Sequence, residues 1–317
     1  MPVRTRKRHP RGYVLLLTLM LLAIAAAALA GACRAALQKA VLATRAQEDL
    51  QRRWGVVSMR AALLPKAERV LAASGDRMSP EARVDVTLGG QPMTLVFGDE
   101  QAKVNVNLLY ALDKRDDTDQ AVRGIVGTTG ADVRVDLRPI LIQPPDDQLT
   151  EPEPPKHPLR SNSDEQDLLD FEVQPAFEVW GQILPDARPA VLLRRRGTSP
   201  SVAGSLTCWG DGTVNVHRAS SETLLRVCDK VLRPAEIRKL IAARDKDPDF
   251  DLWETMDTLN LSEDRYANAE QLLADRSACF SLWIVSRGGG GGGREWYDLA
   301  VLELVGGAAG GVKTFSW

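Results

Sequence analysis

Apolar positions follow three different rhythms along this chain. The first is unbroken: from Tyr13 to Cys33 ("YVLLLTLMLLAIAAAALAGAC") there are 21 residues without a charge, about the ~20 that a helix needs to cross a ~30 Å hydrocarbon core. No turn signal follows. Leu37, Val41, Leu50, Trp54, Val57, Ala61 and Leu64 continue as one broad apolar face, with Arg34, Lys39, Arg45, Glu48, Asp49, Arg52 and Arg53 largely elsewhere. Gly55 is tolerable inside a helix, and Pro65 should kink or end it. The pattern predicts one helix of roughly 50 residues, on the order of 75 Å long, apolar all round at its start and two-faced afterwards.

The second rhythm has period two. "ARVDVTLGGQPMTLVF" alternates Val84, Val86 and Leu88 against Arg83, Asp85 and Thr87, turns at Gly89-Gly90 and returns, which predicts a hairpin with one buried face. "AKVNVNLL" reads as a short strand, while residues 113–125 are charged and ambiguous. From Gln143 to Asp170 the chain is rich in Pro, Asp, Glu and Ser, as a solvated linker or extended loop is. "AFEVWGQIL" is apolar enough to pack as a short helix.

The third rhythm is helical again. After a strand ending near His217, Ser220 is placed to cap a helix that buries Leu224, Leu225, Cys228, Val231 and Leu232. Pro234 opens the next helix, with Ile237, Leu240 and Ile241 behind it. Leu252, Trp253, Met256 and Leu259 form another apolar face. The chain closes with "CFSLWIVSR", six glycines (Gly288 to Gly293), "REWYDLAVLELV" and "VKTFSW", which read as strands around a floppy loop. Helices inserted among strands predict an α+β fold: a long N-terminal transmembrane and amphipathic helix packed on an antiparallel sheet, with an inserted helical region.

Charge narrows the function. The net charge of -2 includes the leader residues Arg4, Arg6, Lys7, Arg8 and Arg11; the remainder holds 35 basic against 42 acidic side chains. An acidic body repels phosphate backbones, so no nucleic-acid partner is expected. The 213–259 block is nevertheless similar to a helix-hairpin-helix module, the basis of an alternative reading as a membrane-anchored, competence-like DNA-binding protein. Its turn, "DKVLRPAE", lacks the glycine whose amides would grip phosphate. No GxSxG, HExxH or P-loop is present, and a strand rather than a helix follows the glycine run. His217 has no visible triad partners, so no enzyme is expected.

Four cysteines occur, with no metal-ligand spacing. Cys208 and Cys228 either bridge in an oxidising compartment or fill core sites as thiols, and Cys33 is expected to pack at the membrane boundary. The basic leader puts the N-terminus on the cytoplasmic side. The apolar segment admits three fates: a secretory signal cut after Ala30, an uncut anchor, or a stem trimmed in front of Tyr13 and retained. A discarded signal has no reason to continue in helical register, which favours the third.

Two near-copies stand out, "AKVNVNLL" and "GTVNVHRA", each with an asparagine (Asn105, Asn215) between valines, where it suits a strand end that caps a following helix. With "RGYVLLLTLMLLA", "DEQAKVNVNLL", "GTVNVHRASSETLL" and "LLADRSACFSLWIVSR" in this order, the sequence resembles the K-type minor pseudopilins of type II secretion systems, over nearly all of the chain except about 113–175. The resemblance implies a SAM-like inserted region and the segmentation 1–12 leader, 13–33 membrane helix, 34–75 stem, 76–110 first hairpin and strand, 111–205 variable helical region, 206–275 second helical region and 276–317 closing strands. It implies cleavage by a prepilin peptidase between Gly12 and Tyr13, methylation of the new amine, and a family motif made of Asp99, Glu100, Lys103, Asn105, Asn107 and Asn215. Other major and minor pseudopilins, the inner-membrane secretion platform and membrane lipid become the expected partners, with the body in the periplasm. Leu17 stands five residues after the cut, where major subunits of the family carry a glutamate. A subunit at the filament tip has no preceding amine to pair, and a lone carboxylate in lipid is expensive. The family also binds Ca2+; here Asp245, Asp247, Asp249 and Asp251 alternate, yet Phe250 and Met256 replace the glycine and glutamate of an EF-hand loop, so a solvated acidic loop competes with that reading.

Overall fold

In the computed structural model, residues 11–75, 78–113, 115–140, 175–197, 199–247, 249–287, 295–305 and 308–317 are described. The basic leader ahead of Arg11, the Pro-rich acidic segment with His157 and the six-glycine loop lie outside them. The chain divides into two units at Trp54/Gly55.

Helix α1 spans Arg11–Leu63, so the apolar run and the two-faced run are one element. From Tyr13 onward it is long and apolar enough to cross a membrane. Its one polar side chain early in that run, Thr18, donates its hydroxyl to Leu15 O at 2.8 Å and presents no unmet polar group. Pro65 ends the helix in a 3-10 turn, Leu64–Lys66, before α2 (Ala67–Ala73).

The second unit holds a five-stranded antiparallel sheet of order β1-β2-β7-β8-β9. Its first strands, β1 (Glu81–Leu88) and β2 (Gln91–Asp99), pair with Leu88 opposite Gln91 across Gly89-Gly90. Both glycines have positive φ, 58° and 81°, which a two-residue hairpin turn requires. The sheet closes with β7 (Cys279–Arg287), β8 (Glu295–Val305) and β9 (Ala308–Ser316). Strand β7 lies beside β2, with Phe280 opposite Asp99. Everything between these residues is therefore an insertion that leaves and re-enters the sheet at neighbouring strands.

One sheet face packs Met93, Leu95, Phe97, Leu282 and Ile284 against Val56, Leu64, Ala67 and Leu71. The other face, with Val96, Trp283 and Val301, is continuous with the core of the insertion. This corrects two expectations. The face of α1 that packs is Gly55, Val56, Met59 and Leu63, whereas Leu50, Trp54 and Val57 remain exposed at 56, 64 and 44 %. Because β1 is a sheet edge, Val84 and Leu88 are only partly covered, at 39 and 38 %.

The near-copies prove to be structural equivalents. After a 3-10 turn at Glu100–Ala102, β3 (Val104–Asn105) leads into α3 (Val106–Leu112), α4 (Arg115–Thr128), α5 (Pro189–Leu192) and α6 (Val202–Ser205), and the chain returns as β4 (Leu206–Thr207), parallel to β3. Then β5 (Val214–Asn215) leads into α7 (Ser221–Cys228), α8 (Pro234–Lys246), α9 (Leu252–Asp257) and α10 (Glu263–Leu272), and β6 (Leu273–Ala274) returns parallel to β5. "AKVNVNLL" is thus two strand residues and a capped helix rather than a longer strand. "AFEVWGQIL" buries Phe177, Trp180, Ile183 and Leu184 through one 3-10 turn at Trp180–Gln182 rather than a helix. Ser220 caps α7 by accepting from Thr223 N at 3.0 Å, but Leu225 stays 38 % exposed.

Candidate functional site

Four motif residues, Asp99, Glu100, Lys103 and Asn215, lie where the insertion joins the sheet, and Asn105 and Asn107 follow inside the insertion. Asp99, at the end of β2, is wholly buried. Its Oδ1 accepts from Ser277 Oγ at 2.6 Å and Gln101 N at 3.1 Å, and its Oδ2 accepts from Asn215 Nδ2 at 3.3 Å. Arg218 Nε stands 3.6 Å from Oδ2. Burial dominates this carboxyl and raises it from an ordinary 3.8 to about 6, against the opposing pulls of the Ser277 hydroxyl and the Arg218 charge. The guanidinium of Arg218 also donates to Leu71 O at 3.1 Å and Ser79 O at 3.3 Å. One carboxylate and one arginine therefore tie the end of α2, the close of β2, the second copy of the motif and the lead into β7.

The next residues complete the junction. Glu100 and Lys103 form a buried ion pair at 2.5 Å, with side chains 0 and 2 % exposed. It lies against Gly98, where a Cβ would meet Ser281 Oγ at 2.5 Å, Lys103 Nζ at 2.7 Å and Glu100 Oε1 at 2.9 Å. The pair and the Ser281 hydroxyl occupy the space that a Cβ at position 98 would take.

Asn105 does what its placement between valines suggested, and Asn215 does not. Asn105 accepts from Asn107 N at 2.9 Å and Leu108 N at 3.3 Å, capping α3, while its Nδ2 donates to Trp209 O at 3.0 Å. Asn107 donates to Phe177 O and Cys208 O, both at 2.9 Å, and accepts from Phe177 N at 2.8 Å. Asn215 accepts from His217 N at 3.0 Å and donates to Ser277 Oγ at 2.7 Å. It closes a turn rather than capping α7 directly. The amides of Asn105, Asn107 and Asn215 are thus all engaged, as a low-dielectric interior demands.

The remaining candidates lie elsewhere. Gly12 and Tyr13 are in the first turn of α1, with Leu17 one turn on and 46 % exposed. No disulfide joins Cys208 to Cys228; each is a buried free thiol, and burial pushes Cys228 up to about 12 and Cys208 further. Both fill apolar core, whereas Cys33 is exposed rather than packed. The alternating aspartates do not converge. Asp245 pairs with Arg244 at 2.8 Å, Asp247 accepts from Asp249 N at 3.1 Å, and Asp251 caps α9 by accepting from Trp253 N and Glu254 N, both at 2.9 Å. Among the described residues, no group of three or more His, Cys, Asp or Glu is placed to hold a metal ion.

Sequence reasoning missed Arg218, Ser277, Gln101 and Gly98. All four sit inside or beside the motifs, but Asp99 and Ser277 lie 178 positions apart, and no local period reveals such a pairing.

The sequence matches no family model and no curated protein. Among solved structures, a chain of the GspK-GspI-GspJ complex from the enterotoxigenic Escherichia coli type 2 secretion system aligns at 12 % identity over 86 % of this chain and 99 % of that one, with a TM-score of 0.40. At that identity and score the likeness assigns neither family nor function.

Proposed function

We propose that the chain is a non-enzymatic minor pseudopilin of the K type, which caps or initiates a type II secretion pseudopilus and assists protein export across the outer membrane. On this reading the helix that starts at Tyr13 anchors the protein in the inner membrane with its N-terminus in the cytoplasm. A prepilin peptidase trims the leader after Gly12, the Tyr13 amine is methylated, and the body works in the periplasm with other pseudopilins and the secretion platform. The observation that carries it is the continuity of α1, in which a membrane-length apolar start and a face packed on the sheet belong to one helix. A signal peptide made to be discarded needs no such continuation. The exposed row of Leu50, Trp54 and Val57 supports the reading too, since it leaves apolar surface for neighbouring stems. Leu17 in place of a glutamate suits a tip subunit with no amine to pair. Deleting the gene should leave type II substrates in the periplasm, and the intact gene should restore export. Unchanged secretion in the deletion strain would reject the proposal.

A further inference from the structure

The sheet of the second unit ends in two edges that differ in kind. On β9, Trp317 N donates to Tyr297 O at 2.9 Å, and Tyr297 N donates to Trp317 O at 3.4 Å. Such exchanges recur at every second residue of an antiparallel pair. Phe315, Lys313 and Gly311 therefore turn their N–H and C=O toward Leu299, Val301 and Glu303 of β8. Val312, Thr314 and Ser316 turn theirs outward, where β9 is the last strand of the sheet among the described residues. All three are exposed. Counted from its turn, β1 points Arg83, Asp85 and Thr87 outward, and charges at an edge discourage an added strand. The outward residues of β9 carry no charge. Its one cation, Lys313, lies on the opposite face, with its charge met by Glu303 at 3.2 Å.

Beside this open edge runs a groove of about 430 Å3, walled by Ala61, Leu64, Pro65 and Val312. Arg60, in the last turn of α1, stands along it near Thr314 and Ser316. Its guanidinium has no ion pair with any described residue. Open amides and carbonyls at a strand's own repeat are matched by another strand. Every second side chain of that strand falls on the α1 side, where the groove calls for small apolar groups and Arg60 for a carboxylate. A second copy of β9 would bring another Arg60 to the same face, and the strand itself holds no carboxylate to meet it.

We propose that β9 takes up an extended segment of a protein partner as an added strand, with small apolar side chains at alternate positions and a carboxylate that pairs with Arg60. The inference rests on the edge and its groove, not on the secretion reading. The probe is a short acetylated peptide that alternates valine with threonine and carries one glutamate, added to the full-length protein in detergent. Hydrogen exchange read by NMR should show the amides of Val312, Thr314 and Ser316 open in the free protein and protected by the peptide, with those of Arg83, Asp85 and Thr87 unchanged. Arg60→Gln should weaken binding about two- to five-fold, the scale of one exposed charge pair, and exchanging the peptide's glutamate for glutamine should then cost nothing more. Thr314→Pro removes an outward N–H that β8 does not use, so binding should be lost; if that variant fails to fold, Arg60→Gln carries the test. Exchange at the three amides unmoved by the peptide, or an affinity unmoved by Arg60→Gln, would overturn the proposal. Protection that rises with protein concentration without peptide would also overturn it, by making a second copy the occupant.

Discussion

Asp99 ties distant segments of the chain together through one carboxylate, and its chemistry is testable. Its carboxyl is raised from 3.8 to about 6 in the folded protein. The stability that goes with the protonated form is fully present below the unfolded value and is lost as pH rises through about 6. That difference corresponds to about 3 kcal/mol. Asp99→Asn removes this titration, so the unfolding free energy of the native protein relative to the variant should fall by about 2 kcal/mol from pH 4 to pH 7, measured by urea unfolding. Parallel pH curves would contradict it. Beside it, Gly98→Ala should destabilise by about 1–3 kcal/mol, because the new methyl meets the buried Glu100–Lys103 pair and Ser281. A melting temperature equal to the native one would show that the pair can move aside. The sequence made these polar residues visible as a motif. It did not show that they are buried together, because the partners come from segments far apart along the chain.

At the scale of elements, the existence of α1 was plain from its pattern, and its packed side was not. The helix carries two apolar rows. The row that looks stronger in sequence, with Trp54 and Val57, is exposed, while Val56, Met59 and Leu63 meet the sheet. Arg52 and Arg60 interrupt the packed row and disguise it. Leu64, in the 3-10 turn after α1, is buried although it closes the row read from the sequence, so Leu64→Ala should cost about 2–5 kcal/mol of stability, whereas Val57→Ala should change it by no more than about 0.5 kcal/mol; thermal unfolding of both variants checks the order. The hairpin was legible because Gly89-Gly90 between alternating residues admits few other structures. The short parallel pairs β3–β4 and β5–β6 were not, since two-residue strands leave no period to read.

For the whole molecule, the insertion between β2 and β7 contains two helical runs, each opened by a Val-Asn strand and closed by a parallel return. The near-copied octapeptides marked where each run opens, and the helices of the second run were legible from their apolar faces, whereas the charged stretch that became α4 was ambiguous by its pattern. The proposed function requires that the helix beginning at Tyr13 be trimmed in front and retained. Mass spectrometry of the N-terminal peptide of the membrane-extracted protein tests it most directly. The expected mature chain begins at a methylated Tyr13. A mature chain that begins at Gly31 would contradict it.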